Sequence, residues 1–83
     1  MSRAKALIVD DSATARIMLS RLLEKADYDS HGVGSAEDAL RELHNGTPYD
    51  VVFLDHLLPG MDGFEALREI KGDASTASIP VFM

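Results

Sequence analysis

The stretch Val51-Val52-Phe53-Leu54-Asp55-His56-Leu57-Leu58-Pro59-Gly60-Met61-Asp62-Gly63 carries the clearest fold information in the chain. Its first four residues are a continuous apolar run. Such a run suits a strand covered on both faces, as in a parallel sheet. Asp55 closes it, and Pro59, Gly60 and Gly63 punctuate a loop from His56 to Gly63. Asp62-Gly63-Phe64-Glu65 then reads as a capping box. It predicts a helix through about Lys71, with Phe64, Leu67 and Ile70 turned inward and Gly72 as its stop.

The same pattern recurs upstream. Within Lys5 to Val9 lies the apolar run Ala6-Leu7-Ile8-Val9, stopped by Asp10-Asp11-Ser12. Ala15, Met18, Leu19, Leu22, Leu23 and Ala26 form one stripe at helical spacing, predicting a helix from about Ala13 to Ala26 with Asp11 or Ser12 as cap. A weaker strand covers Ser30 to Val33. Ser35-Ala36-Glu37-Asp38 opens a short helix with Ala36, Ala39, Leu40 and Leu43 on one face, ended by Asn45-Gly46. Downstream, a polar stretch from Asp73 to Ser78 leads to Ile79-Pro80-Val81-Phe82-Met83, read as a fourth strand.

The order is therefore βαβαβαβ. Right-handed crossovers make this an α/β fold of three layers, a parallel sheet with helices on both faces. The last apolar run has no helix after it, so the fold is expected to be incomplete, with an exposed sheet edge.

Composition narrows the function. The 83 residues are read as one domain, 1–83. Lys and Arg number 8 against 14 Asp and Glu, a net charge of −6, which argues against nucleic acid or an anionic membrane as a direct partner. The absence of cysteine excludes a disulfide framework, a thiolate zinc site and a cysteine nucleophile. No apolar run approaches the ~20 residues of a membrane span. Met1-Ser2-Arg3-Ala4-Lys5 lacks the apolar core of a signal peptide, and a cytoplasmic location is the default expectation.

Chemistry concentrates at the strand ends. Asp10 and Asp11 follow the first strand, and Asp55 follows the third. In open parallel sheets, sites form beyond the carboxyl ends of the strands, at the topological switch point. If the first and third strands are neighbours, three carboxylates meet there, which is unfavourable without a cation. All the donors are oxygens, so a hard cation, Mg²⁺ above all, is the natural resolution. Such a site suits phosphoryl chemistry, with Asp55 as the candidate nucleophile and Asp10 and Asp11 as candidate metal ligands.

Leu7-Ile8-Val9-Asp10-Asp11-Ser12 together with Val52 through Gly63 resembles the receiver domain of bacterial two-component response regulators. The resemblance rests on an acidic pair after strand one, an acid after strand three, a proline four residues on, and Met61-Asp62-Gly63 opening the next helix. It covers the whole chain, Ile79-Pro80-Val81 included. It implies a flavodoxin-like, CheY-like fold with strand order 2-1-3-4-5. It implies that Asp55 is the phosphoacceptor, served by a histidine kinase or phosphotransfer protein. It implies Mg²⁺ held by Asp10, Asp11, Asp55 and the backbone carbonyl of Leu57, in a signalling module that is not a turnover enzyme. Against that pattern the chain lacks helix four, strand five with its lysine, and helix five. Loss of helix five is expected to leave apolar residues of strands one and three uncovered, and a homodimer through that face is the expected consequence. The alternative function is a non-phosphorylated dimerisation or protein-interaction module. A phosphohydrolase of another doubly wound family fits less well, because His56 and Leu57, rather than a second acid, follow Asp55.

Other residues receive plainer readings. Strand alternation turns His56 away from Asp55. His31 and His44 are expected to be solvated, Asp62 to cap the third helix, and Met61 and Phe64 to pack. Thr14 and Arg16 stand at the start of helix one, on a face that the resembled family uses for kinase contacts.

Overall fold

The computed structural model describes residues 3–83. Met1 and Ser2, the first residues of the expected 1–83 domain, lie outside the described residues. The elements are β1 (Ala4–Val9), α1 (Ala13–Lys25), β2 (Tyr28–Val33), α2 (Ala36–His44), β3 (Val51–Leu54), α3 (Gly63–Gly72) and β4 (Val81–Phe82). All strand pairs are parallel, in the order β2-β1-β3-β4. The expected three-layer, flavodoxin-like arrangement is therefore present.

Alternation along the central strands builds two cores. Leu7, Val9, Val52 and Leu54 face one side and pack with Ala36, Ala39 and Leu43 of α2 and Ala66 and Ile70 of α3. Ala6, Ile8 and Val51 face the other side and pack with Leu23 of α1. Ser12, Ser35 and Asp62 cap the three helices, each accepting a hydrogen bond from the amide three residues on.

Several expectations are corrected. β2 begins at Tyr28 rather than Ser30, because a polar edge strand is held by its backbone pairing, Ala4 opposite Tyr28, and not by an apolar run. β4 is only Val81–Phe82, since Lys71 Nζ takes the Ile79 carbonyl at 2.8 Å and Pro80 has no N–H to donate. The stretch Asp73 to Ser78 is more than a polar linker: Thr76 is 1% exposed and donates its hydroxyl to the Ile70 carbonyl at 2.7 Å. His44 is exposed, as expected, and at the surface it pairs with Asp73 at 3.0 Å. Phe64 turns outward, 55% exposed, because Gly63, Ala66 and Ile70 form the buried face of α3.

The expected apolar exposure exists but is displaced. On strands one and three, Ile8 and Val51 are buried and Phe53 is half-buried, stacked on Phe82 at 5.7 Å between ring centroids. The exposed large apolar side chains are instead Ile17, Met18 and Leu22 of α1, Leu57 and Phe64 after β3, and Phe82 and Met83 at the β4 edge. A single helix, α1, packs on the sheet face of Ile8 and Val51, through Leu19 and Leu23.

Candidate functional site

Parallel pairing sets Ile8 opposite Phe53 and Val9 opposite Leu54, so the next residues, Asp10 and Asp55, leave adjacent strands side by side. The Asp55 amide continues this ladder by donating to the Val9 carbonyl at 2.9 Å. The two sequence-distant acids are thus brought together by register.

Each acid is held locally. Asp10 donates its amide to the Val33 carbonyl of β2 at 3.1 Å. Its Oδ1 accepts the Ser12 amide at 2.9 Å, and its carbonyl accepts Arg16 Nη1 at 2.7 Å. Asp55 is half-buried, and its Oδ1 accepts the Leu57 amide at 3.1 Å. Asp11 is exposed at the turn into α1. One oxygen from each of Asp10, Asp11 and Asp55 lies within 4.8 Å of the others.

Among the described residues, none of these three carboxylates forms an ion pair with a basic side chain. Three like charges so close repel one another. An all-oxygen donor set of this charge matches a hard divalent cation, and the residues present fit Mg²⁺.

The loop after Asp55 is shaped around that residue. Gly63 packs so closely on the Asp55 and His56 backbone that any β-carbon there would overlap it. Asp62 caps α3 by accepting the Glu65 amide at 2.9 Å, as expected, and so points its carboxylate at the helix rather than at the cluster. The His56 ring lies beside Phe64, 6.0 Å between centroids, outside the carboxylate group. His31 is exposed. Leu57 reaches the cluster through its amide, and its side chain is 75% exposed. Two contacts had no part in the sequence reading: the Arg16 bond to Asp10 and the Gly63 contact with Asp55. The signals for them were the glycines, Gly32 and Gly34 beside the Arg16 side chain and Gly63 inside a capping box.

Residues 6–83 match the family described as response regulator receiver domain. Protein PilH of Pseudomonas aeruginosa is 38% identical over 80 residues, covering 96% of this chain and 65% of PilH. The N-terminal domain of a response regulator receiver protein from Methanoculleus marisnigri superposes with a TM-score of 0.87 at 40% identity, covering 93% of this chain and 62% of that one. The receiver domain of a sensor histidine kinase from Pseudomonas aeruginosa, solved with a magnesium ion coordinated in the active site cleft, superposes with a TM-score of 0.88 at 25% identity, covering 95% of this chain and 64% of that one. The chain thus spans a little under two thirds of the length of these relatives. Among the described residues, no helix is long and apolar enough to cross a membrane.

Proposed function

This chain belongs to the response regulator receiver domain family, and on that premise we propose that Asp55 is the acceptor of a phosphoryl group in two-component signalling. The observation that carries the reading is the meeting of Asp10, Asp11 and Asp55 within 4.8 Å at the ends of neighbouring parallel strands.

The donor is a phosphohistidine on a histidine kinase or phosphotransfer protein. An Asp55 carboxylate oxygen attacks phosphorus, an O–P bond forms, and the P–N bond breaks. The imidazole nitrogen keeps the electron pair and takes up a proton. The Leu57 amide donates to Oδ1 of Asp55 at 3.1 Å and so helps to orient the carboxylate. Asp10, Asp11 and Asp55, with the Leu57 carbonyl, are the residues that would hold Mg²⁺. When bound, Mg²⁺ supplies neutralisation of charge on the carboxylates and the phosphoryl oxygens. Asp10 is placed by its bonds to Val33, Ser12 and Arg16 before any ligand arrives, so little reorganisation is needed. The chain acts as an acceptor rather than as a turnover enzyme, and its setting is cytoplasmic.

Intact mass after incubation with acetyl phosphate and Mg²⁺ tests this reading. One added phosphoryl group, dependent on the metal and absent from Asp55→Asn, is the expected result. No gain in a folded sample would sink it and favour the interaction-module alternative, which the converged carboxylates otherwise weigh against. A homodimer is part of the proposal, through the apolar surface of Met18, Leu22, Phe82 and Met83. A monomer mass in light scattering that does not change with concentration would remove that part alone.

A further inference from the structure

We propose that Arg16 is a positioning residue for the cation site, acting through the peptide bond between Asp10 and Asp11, and that Gly32 leaves its side chain the room to pass. The inference rests on the reading that the carboxylate cluster binds a divalent cation.

Arg16 lies in the first turn of α1, where its amide bonds to the Ser12 carbonyl at 3.0 Å. The positive end of the helix dipole disfavours a cation there, so its placement calls for a compensating contact. That contact is the 2.7 Å bond from Nη1 to the Asp10 carbonyl, which is partly buried. A peptide unit is planar, so the Asp10 carbonyl and the Asp11 amide move together. Holding that carbonyl therefore orients both acids at once. The Asp10 amide on the preceding peptide is held by Val33 of β2. One acid is thus anchored from the strand on one side and from the helix on the other.

The bond also leaves the ligands free. Arg16 donates to a carbonyl and not to a carboxylate, so a cation displaces no ion pair when it binds. The path of the side chain is set by glycine. A β-carbon at Gly32 would lie 3.0 Å from Arg16 Cδ, and one at Gly34 would lie 3.6 Å from Nη1. Gly32 has no left-handed backbone requirement, so what a side chain would disturb there is the Arg16 stem.

The test is Mg²⁺ binding to the full chain by titration calorimetry, beside unfolding in chelator. Arg16→Met keeps the aliphatic stem and removes the donor. Gly32→Val suits a strand and displaces the stem. Each is expected to weaken Mg²⁺ binding by about tenfold, the lower end for supporting residues of metal ligands. The double variant is expected to be no worse than Arg16→Met alone, because both changes remove one contact. Ser20→Ala breaks the 2.8 Å Ser20–Ser30 hydroxyl bond between the same two elements. It is expected to lower the unfolding midpoint without changing the affinity, which separates positioning from general α1–β2 packing. Arg16→Lys, which retains charge and donor, is expected to bind more tightly than Arg16→Met. If Arg16→Met does not fold, Gly32→Val and Arg16→Lys decide, and wild-type affinity in Gly32→Val would overturn the proposal. Wild-type affinity in a folded Arg16→Met would overturn it equally, with the cation site itself intact. A wild-type chain that binds no Mg²⁺ would instead remove the underlying reading and this inference with it.

Discussion

Gly63 rests on the backbone of Asp55: a β-carbon at Gly63 would lie 2.5 Å from the Asp55 carbonyl oxygen and 2.6 Å from the His56 Cα. The Gly63 amide also donates to the His56 carbonyl at 3.3 Å. The end of β3 and the start of α3 are therefore one packed unit around the candidate acceptor.

Gly63→Ala forces backbone apart, since no flexible side chain is available to yield. Overpacking of this kind costs ~1–3 kcal/mol. Urea unfolding should show that loss, together with slower phosphorylation by acetyl phosphate. An unchanged urea midpoint would contradict the contact.

Asp11→Asn should have effects of opposite sign with and without metal. Unit charges 4.8 Å apart, the outer limit within the carboxylate cluster, repel by about 1 kcal/mol in water, less after salt screening. In chelator the variant is therefore expected to unfold at a higher temperature than wild type. In Mg²⁺ that order reverses, because a ligand is lost and binding no longer adds to stability. Calorimetric scans in the two buffers check both signs.

Thr76→Val leaves the Ile70 carbonyl without its 2.7 Å hydroxyl donor near the end of α3. An unsatisfied buried acceptor costs ~1–3 kcal/mol. The urea midpoint should fall accordingly, Thr76→Ser should retain most of the stability, and Mg²⁺ affinity should not change in either.

Asp73 gives a pH dependence of known sign. The Ser75 amide and hydroxyl donate to Oδ1 at 2.9 and 2.8 Å, and His44 adds a favourable charge, so its carboxyl is held below the ordinary 3.8. A depressed folded-state pKa means stability that is complete above 3.8 and lost as pH falls through the lower folded value. Asp73→Asn should unfold at lower urea near neutral pH, and the gap to wild type should close on acidification. A gap that widens in acid would refute the assignment.

Much of the candidate site was legible in order but not in contact. Asp10, Asp11 and Asp55 stand out because each interrupts or follows an apolar run, and a charged residue cannot continue a strand buried on both faces. The capping residues Ser12, Ser35 and Asp62 were equally open to reading, because a cap bonds to an amide only three residues away. Phe64 departs from its expected inward place for the opposite reason. Helical spacing gives its angle around α3 but not which neighbours lie on that side, and the sheet turned out to face Ala66 and Ile70. Thr76 was passed over because a hydroxyl looks polar until its buried partner is known.

The sequence by itself determined the alternation of elements, the helix starts and the identity of the acids, since each of these depends on residues within a turn or a strand of one another. Tertiary structure alone decided the rest: that Asp55 stands beside Asp10 through the parallel pairing of Val9 with Leu54, that Arg16 crosses Gly32 to hold the Asp10 carbonyl, and that Gly63 seats on Asp55. Those contacts join residues far apart along the chain, and their geometry is set by register and packing, which no local pattern encodes.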